Sequence, residues 1–176
     1  MQKLEDLQEN RYYHIYNRGN NRKNLFLEER NYDFFLARYQ KYICPVADTF
    51  AYCLLGNHFH LLIRVKPQER PHRSPLASGS PSRAFSNFFS SYTQSMNSLY
   101  GRTGSLFQER FRRKEVTGND SLRAVMQYIH LNPLFTYICQ GFSHVQALVV
   151  SNTPRQGDHV SSARGSLPLV RRQTII

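Results

Sequence analysis

Two histidines separated by one residue stand in Asn57-His58-Phe59-His60-Leu61-Leu62-Ile63. In an extended strand alternate side chains share a face, so His58 and His60 project together while Phe59 and Leu61 point the other way. Two imidazoles about 6–7 Å apart on a rigid backbone make a pair of metal ligands. The competing reading is a polar sheet face that carries two histidines. A zinc site with a cysteine partner fits less well, because Cys53 belongs to the preceding strand and no second spaced pair exists.

Tyr128 and Asn132, in Tyr128-Ile129-His130-Leu131-Asn132-Pro133, lie four residues apart. That is one helical turn, which puts a phenol and an amide on one face and lets Ile129 pack inward. A phenol with a pKa of about 10 is a poor nucleophile at neutral pH. Beside a divalent cation and a phosphate, its oxygen can attack phosphorus and form a covalent phosphotyrosyl link. The Asn132 amide oxygen would then complete the metal shell. Against this stand a tyrosine that simply packs and an Asn-Pro pair that makes a turn.

Arginines alternate with aromatics in Gly104-Ser105-Leu106-Phe107-Gln108-Glu109-Arg110-Phe111-Arg112-Arg113-Lys114, with Arg102 just before. Such a segment suits a phosphate backbone and stacked, unpaired bases; a solvated basic edge strand that resists aggregation explains it equally. Asn17-Arg18-Gly19-Asn20-Asn21-Arg22-Lys23 makes the same offer, through Arg18, Arg22 and Lys23.

The elements that must position these residues follow from periodicity. Residues 11–17 are β-branched and aromatic with partial alternation and predict a first strand, closed by turn chemistry. From Glu29 to Ile43, apolar and aromatic residues recur at three or four, which predicts a helix that Pro45 ends. Strands from Thr49 to Leu55 and from His58 to Val65 flank Gly56-Asn57, a hairpin signal. Lys66 to Ser82 reads as a loop. A helix from Ser82 to Leu99 carries a Phe/Tyr stripe better suited to core than to base stacking. Ser105 to Val116 predicts a further strand, and a third helix starts at Asn119 or Asp120 and stops or kinks at Asn132-Pro133. This order predicts an α+β fold: a ferredoxin-like βαββαβ antiparallel sheet with helices on one face, plus a C-terminal helix bearing the tyrosine.

Composition narrows the class of partner. The 176 residues carry 23 Lys and Arg against 12 Asp and Glu, a net charge of +11. Residues 1–60 hold 8 basic and 7 acidic residues, so ten of the eleven units of net positive charge fall after position 60. A skew of this size favours a polyanion, nucleic acid before an acidic membrane surface. No apolar run is long enough to span a membrane, and the N-terminus has acids where a signal peptide needs its apolar stretch. Three cysteines, Cys44, Cys53 and Cys139, lack metal spacing and fit reduced thiols. A cytoplasmic, nucleoid-associated protein is expected.

In combination, four motifs in order resemble one family. Tyr13-His14-Ile15-Tyr16-Asn17-Arg18-Gly19, then Asn57-His58-Phe59-His60-Leu61-Leu62, then Gly104-Ser105-Leu106-Phe107-Gln108 with Arg110-Phe111, then Tyr128-Ile129-His130-Leu131-Asn132-Pro133 resemble the REP-associated tyrosine transposases. These belong to the HUH single-strand nucleases, with the small single-tyrosine insertion-sequence transposases. The resemblance covers about residues 11–135. It implies that His58 and His60 ligate Mg²⁺ or Mn²⁺, with Asn132 as a third ligand and Tyr128 as the nucleophile. It implies a metal-dependent endonuclease and strand transferase acting on single-stranded, hairpin-forming DNA through a 5′-phosphotyrosine intermediate, as a monomer or a homodimer. Arg18, Arg22, Lys23, Arg102, Arg110, Arg112, Arg113 and Lys114 would then line the DNA. The alternative is a degenerate or domesticated DNA- or RNA-binding module on the same fold.

The sequence departs from the family at two places. Leu55-Gly56 replaces the usual Met-Pro before Asn57-His58, a change in the turn that leaves both histidines in place. After Pro133 the family pattern fades and the chain has no tryptophan, which reads as a frameshifted or decayed end. Residues 1–150 are accordingly read as the catalytic domain, and 151–176 as a disordered or aberrant tail.

Overall fold

A computed structural model of the chain describes residues 6–67, 80–140, 146–148 and 172–174. The elements run β1 (Tyr12–Arg18), α1 (Glu29–Tyr42), β2 (Ala47–Leu55), β3 (His58–Val65), α2 (Pro81–Leu99), β4 (Arg112–Val116), α3 (Asn119–Gln140), β5 (Gln146–Leu148) and β6 (Arg172–Thr174). The first four strands form one antiparallel sheet in the order β2-β3-β1-β4. This is the βαββαβ arrangement that the element order predicts.

Alternation along the strands makes two apolar layers. Ile15, Leu54, Phe59, Leu61 and Ile63 face α1 and α2, which bring Phe35, Tyr39, Phe85, Phe88 and Tyr92 to the larger core. The stripe on α2 is therefore core. On the other face, Ala51, Cys53, Leu55, Leu62 and Val116 pack under Ile129, with Leu122, Val125 and Met126 of α3 at the margin. Both faces of the sheet are covered, and β3, with neighbours on each side, is the rigid centre.

Local chemistry sets the element ends. The Asn31 side-chain oxygen accepts from the backbone N–H groups of Leu27 and Glu28, holding the entry to α1. Gly56-Asn57 closes the β2–β3 hairpin as predicted, with Leu55 paired to His58. Pro81 occupies the first turn of α2, where its missing N–H costs nothing. Helix α2 thus starts one residue before the expected Ser82, and residues 68–79 of the expected Lys66–Ser82 loop lie outside the described residues.

Two expected boundaries differ. The last strand of the main sheet spans only Arg112–Val116 rather than starting at Ser105. Leu106, Phe107 and Phe111 turn into the core instead of alternating. The backbone there bonds the first turn singly, through Asn20 N–H to Leu106 O and Gln108 N–H to Arg18 O, with one bridge between Gly19 and Phe107. Helix α3 does not stop at Asn132-Pro133 but continues to Gln140. A proline inside a helix deletes one hydrogen bond, here the one toward the Ile129 carbonyl, and the following turns carry the backbone onward. β5 and β6 pair with each other, so β6 falls within the segment read as a tail. The side chain of Cys139 and residues 141–145 and 149–171 lie outside the described residues.

Candidate active site

The site lies on the sheet face covered by α3. Residues directly opposite in antiparallel strands share a face. Register pairs Arg18 with His58, Tyr16 with His60 and His14 with Leu62. On the other side it pairs His14 with Lys114 and Tyr16 with Arg112. One face therefore carries His58, His60, His14, Tyr16, Arg18, Arg112 and Lys114.

Helix α3 sets Tyr128 over this face. Its ring lies 5.3 Å from that of His60 and 6.0 Å from that of His14, close to perpendicular in both cases. Tyr128 is 45% exposed, so a bulky substrate can reach it. One turn on, Asn132 is buried and its side chain hydrogen-bonds His58. Ile129 is fully buried beneath, anchoring the helix against the sheet. The predicted tyrosine and amide thus meet the predicted histidine pair.

The two histidines are held by their Nδ1 atoms. Nδ1 of His58 lies 2.7 Å from Oδ1 of Asn57, and Nδ1 of His60 lies 3.0 Å from Nε2 of His14. Their rings stand 5.3 Å apart and nearly perpendicular. Burial, with the neighbouring imidazoles of His14 and His58 adding repulsion to any charged form, pushes His60 down to about 3. Burial, with Lys114 nearby, lowers His14 to about 4. For His58 burial again lowers the pKa, against the bond to Asn132, which raises it. All three imidazoles are neutral near pH 7, the form that ligates metals.

A divalent cation fits the donors present. Were His58 and His60 each to donate from Nδ1, their Nε2 atoms would be the coordinating nitrogens, a pattern usual where histidines hold metals. Among the described residues no group of three His, Cys, Asp or Glu side chains is placed to hold a metal. A third protein donor would therefore be the Asn132 amide, with remaining positions open to phosphate oxygens and water.

Of the predicted DNA-binding residues, Arg18, Arg112 and Lys114 rim this face. The Arg18 Nε donates to Oε1 of Gln108. Arg112 sits 3.4 Å from Glu109 in an exposed pair. Arg113 points to the opposite face, donating to Ser82 Oγ at 2.7 Å with its guanidinium 4.9 Å from the Phe111 ring centre. Arg110 and Arg113 line a cavity of about 1160 Å³ there, with Asn17, Arg83, Phe89 and Phe107. Arg22 and Lys23 are exposed on the turn after β1. Arg102 follows α2, where its N–H donates to the Asn97 carbonyl. Neither the histidine spacing nor the tyrosine helix pointed to His14 and Tyr16. Their signal was the alternation of β1, which sets both on one face.

Residues 7–132 match the family model described as IS200-like transposase. The chain belongs to the IS200-like transposase family. Among solved structures, one described as a REP-associated tyrosine transposase bound to a REP hairpin has the same fold, with a TM-score of 0.59 and 15% identity. The match covers 77% of this chain and 73% of that one. No curated protein sequence matches the chain significantly. For an IS200-like transposase the coarse role is DNA transposition. The matched span contains His58, His60, Tyr128 and Asn132, so the described site falls wholly inside the family region. No helix among the described residues is long and apolar enough to cross a membrane.

Proposed function

We propose that this transposase is a metal-dependent, single-strand DNA endonuclease and strand transferase that works through Tyr128. The observation that carries the reading is the position of α3, which sets the Tyr128 ring 5.3 Å from His60 and bonds Asn132 to His58. His58, His60 and Asn132 would hold Mg²⁺ or Mn²⁺. Bound there, the cation would polarise the scissile phosphate and stabilise charge on the departing oxygen.

In the first step Tyr128 Oη attacks phosphorus. The new bond joins Oη to phosphorus and the bond to the 3′-oxygen breaks. The phenol proton passes to solvent, which reaches this half-exposed side chain, and the 3′-oxygen takes up a proton to become a hydroxyl. The strand and helix supply the alignment, because buried Ile129 and the paired β3 fix both partners before substrate arrives. In the second step a 3′-hydroxyl attacks the phosphotyrosine and restores the phenol. The phosphodiester count is conserved, so rejoining needs no external energy source.

Hairpin-forming DNA is the proposed substrate class, in keeping with the hairpin-bound structural relative. Arg18, Arg112 and Lys114 would carry the strand at the site. The test uses a 3′-labelled single-stranded hairpin with Mg²⁺ or Mn²⁺. A labelled covalent protein–DNA adduct is expected, and Tyr128→Phe removes it. An adduct that survives this substitution refutes the nucleophile; binding with no adduct in the unaltered protein favours a non-catalytic binding module.

A further inference from the structure

His14 is a third imidazole on the site face, and the proposed reaction has so far given it no work. Strand β1 is paired on both sides, with His14 opposite Leu62 on β3 and Lys114 on β4, so its backbone cannot drift. The His14 ring stacks on His60 with centres 5.1 Å apart, and Tyr16 packs beside both at 4.9 and 5.8 Å. Its Nε2 meets Nδ1 of His60 at 3.0 Å.

Two neutral imidazoles joined this way share one proton across the bond, which can be placed in two ways. If His14 Nε2–H donates, the Nδ1 lone pair of His60 is used up. The His60 proton then sits on Nε2, which cannot ligate. If His60 Nδ1–H donates into Nε2 of His14, Nε2 of His60 keeps its lone pair. The neighbouring histidine shows which arrangement the site is built for. Asn57 Oδ1 can only accept, so His58 must donate from Nδ1 and keep its own lone pair on Nε2.

We infer that His14 is a positioning residue that accepts from His60 and holds it in the tautomer whose Nε2 can bind a cation. This rests on the metal reading proposed above. His14 touches neither phosphate nor cation in this role. It does for His60 what the Asn57 side-chain oxygen does for His58, leaving the Nε2 lone pair free on each.

The test combines cation binding with a direct readout of the proton. Mn²⁺ affinity is measured by titration for wild-type protein, His14→Phe and His14→Gln, and the His60 nitrogens are followed by ¹⁵N NMR without metal. Losing an outer partner of a metal ligand weakens binding about 10–100-fold, so a weakening of at least tenfold is expected for His14→Phe. His14→Gln, whose side-chain oxygen can accept, should stay much nearer to wild type. The NMR signal should show His60 Nε2 unprotonated in wild type and in His14→Gln, and protonated in His14→Phe. Equal Mn²⁺ affinity in wild type and His14→Phe, or a wild-type His60 protonated on Nε2, overturns the inference. Should His14→Phe fail to fold, the wild-type and His14→Gln spectra still decide it. Wild-type protein with no Mn²⁺ affinity would refute the metal reading, while the tautomer signal would judge the His14–His60 pair separately.

Discussion

The rings of Tyr128 and His60 stand 5.3 Å apart at 83° to one another, across the gap between α3 and β3. This contact belongs to the ring and not to the hydroxyl. Tyr128→Phe should keep it and, at an exposed position, change stability by no more than about 0.5 kcal/mol. Adduct formation should nonetheless vanish. Thermal unfolding beside the adduct assay separates the two effects, and a large loss of stability would mean that the phenol has a structural partner.

Asn132 presents the opposite case. It is one of four buried polar side chains among the described residues, with Asn17, Asn31 and His60. Asn132→Ala removes one of the two side-chain partners of His58, the other being Asn57, which should cost about 0.5–1.5 kcal/mol, and should weaken Mn²⁺ binding as well. Asn132→Asp keeps an oxygen donor one turn from Tyr128 and should retain the cation. Equal metal affinity in the alanine variant would remove Asn132 from the ligand set.

Gly19 joins β1 to the turn that carries Arg22 and Lys23. Its backbone is ordinary, at φ −64°. The constraint is space, since a Cβ there would stand 1.9 Å from the Lys23 carbonyl oxygen. Gly19→Ala must therefore displace that turn. The Gly19 N–H also donates to the Asn57 carbonyl, at the start of the histidine strand. A drop in melting temperature accompanied by weaker Mn²⁺ binding is expected; an unchanged melting temperature would show that the turn moves freely.

Much of this arrangement was legible because it depends on local period. His58 and His60 had to share a face in any strand, and Tyr128 with Asn132 in any helix. The βαββαβ order followed from element types alone. What stayed hidden depends on tertiary contact. His14 and Tyr16 show their relation to His60 only once β1 is registered against β3. Arg112 and Arg113 are neighbours in sequence, but β4 sends them to opposite faces. Ser105–Phe111 contains strand-forming residues, yet three of its apolar side chains go to the core, which overrides alternation. Pro133 has the local chemistry of a stop, and α3 continues through it.

Alkaline pH should unfold the protein earlier than its surface charge suggests. Burial raises Cys53 from 9.0 to about 12 and Tyr52 from 10.0 to about 12. Near neutral pH both groups are uncharged in either state. From about pH 8 up to about 12 the unfolded chain ionises them increasingly while the folded chain holds their protons, so it binds fewer protons and stability falls as pH rises. Melting temperatures measured from pH 8 to 11 should decline, and Cys53→Ala should flatten the first part of the decline. An identical slope in that variant would mean that the thiol ionises freely in the fold.

The two faces of β4 predict different phenotypes for adjacent arginines. Arg112 and Lys114 lie on the Tyr128 side, opposite Tyr16 and His14, and both are exposed. If each contacts one phosphate of a single strand, removing it should reduce the salt dependence of binding by about 0.7 in the slope of log K against log salt. Arg112→Ala and Lys114→Ala should therefore weaken DNA binding most at low salt, slow adduct formation, and leave the melting temperature nearly unchanged. Arg113 bonds Ser82 and stacks on Phe111 on the other side. Its removal breaks a contact between β4 and α2, so Arg113→Ala should lower the melting temperature and change the salt slope less than either neighbour. Binding isotherms at several salt concentrations, read beside thermal unfolding, test this pattern. A salt slope that falls most in Arg113→Ala would put the DNA on the cavity side of β4 and away from Tyr128.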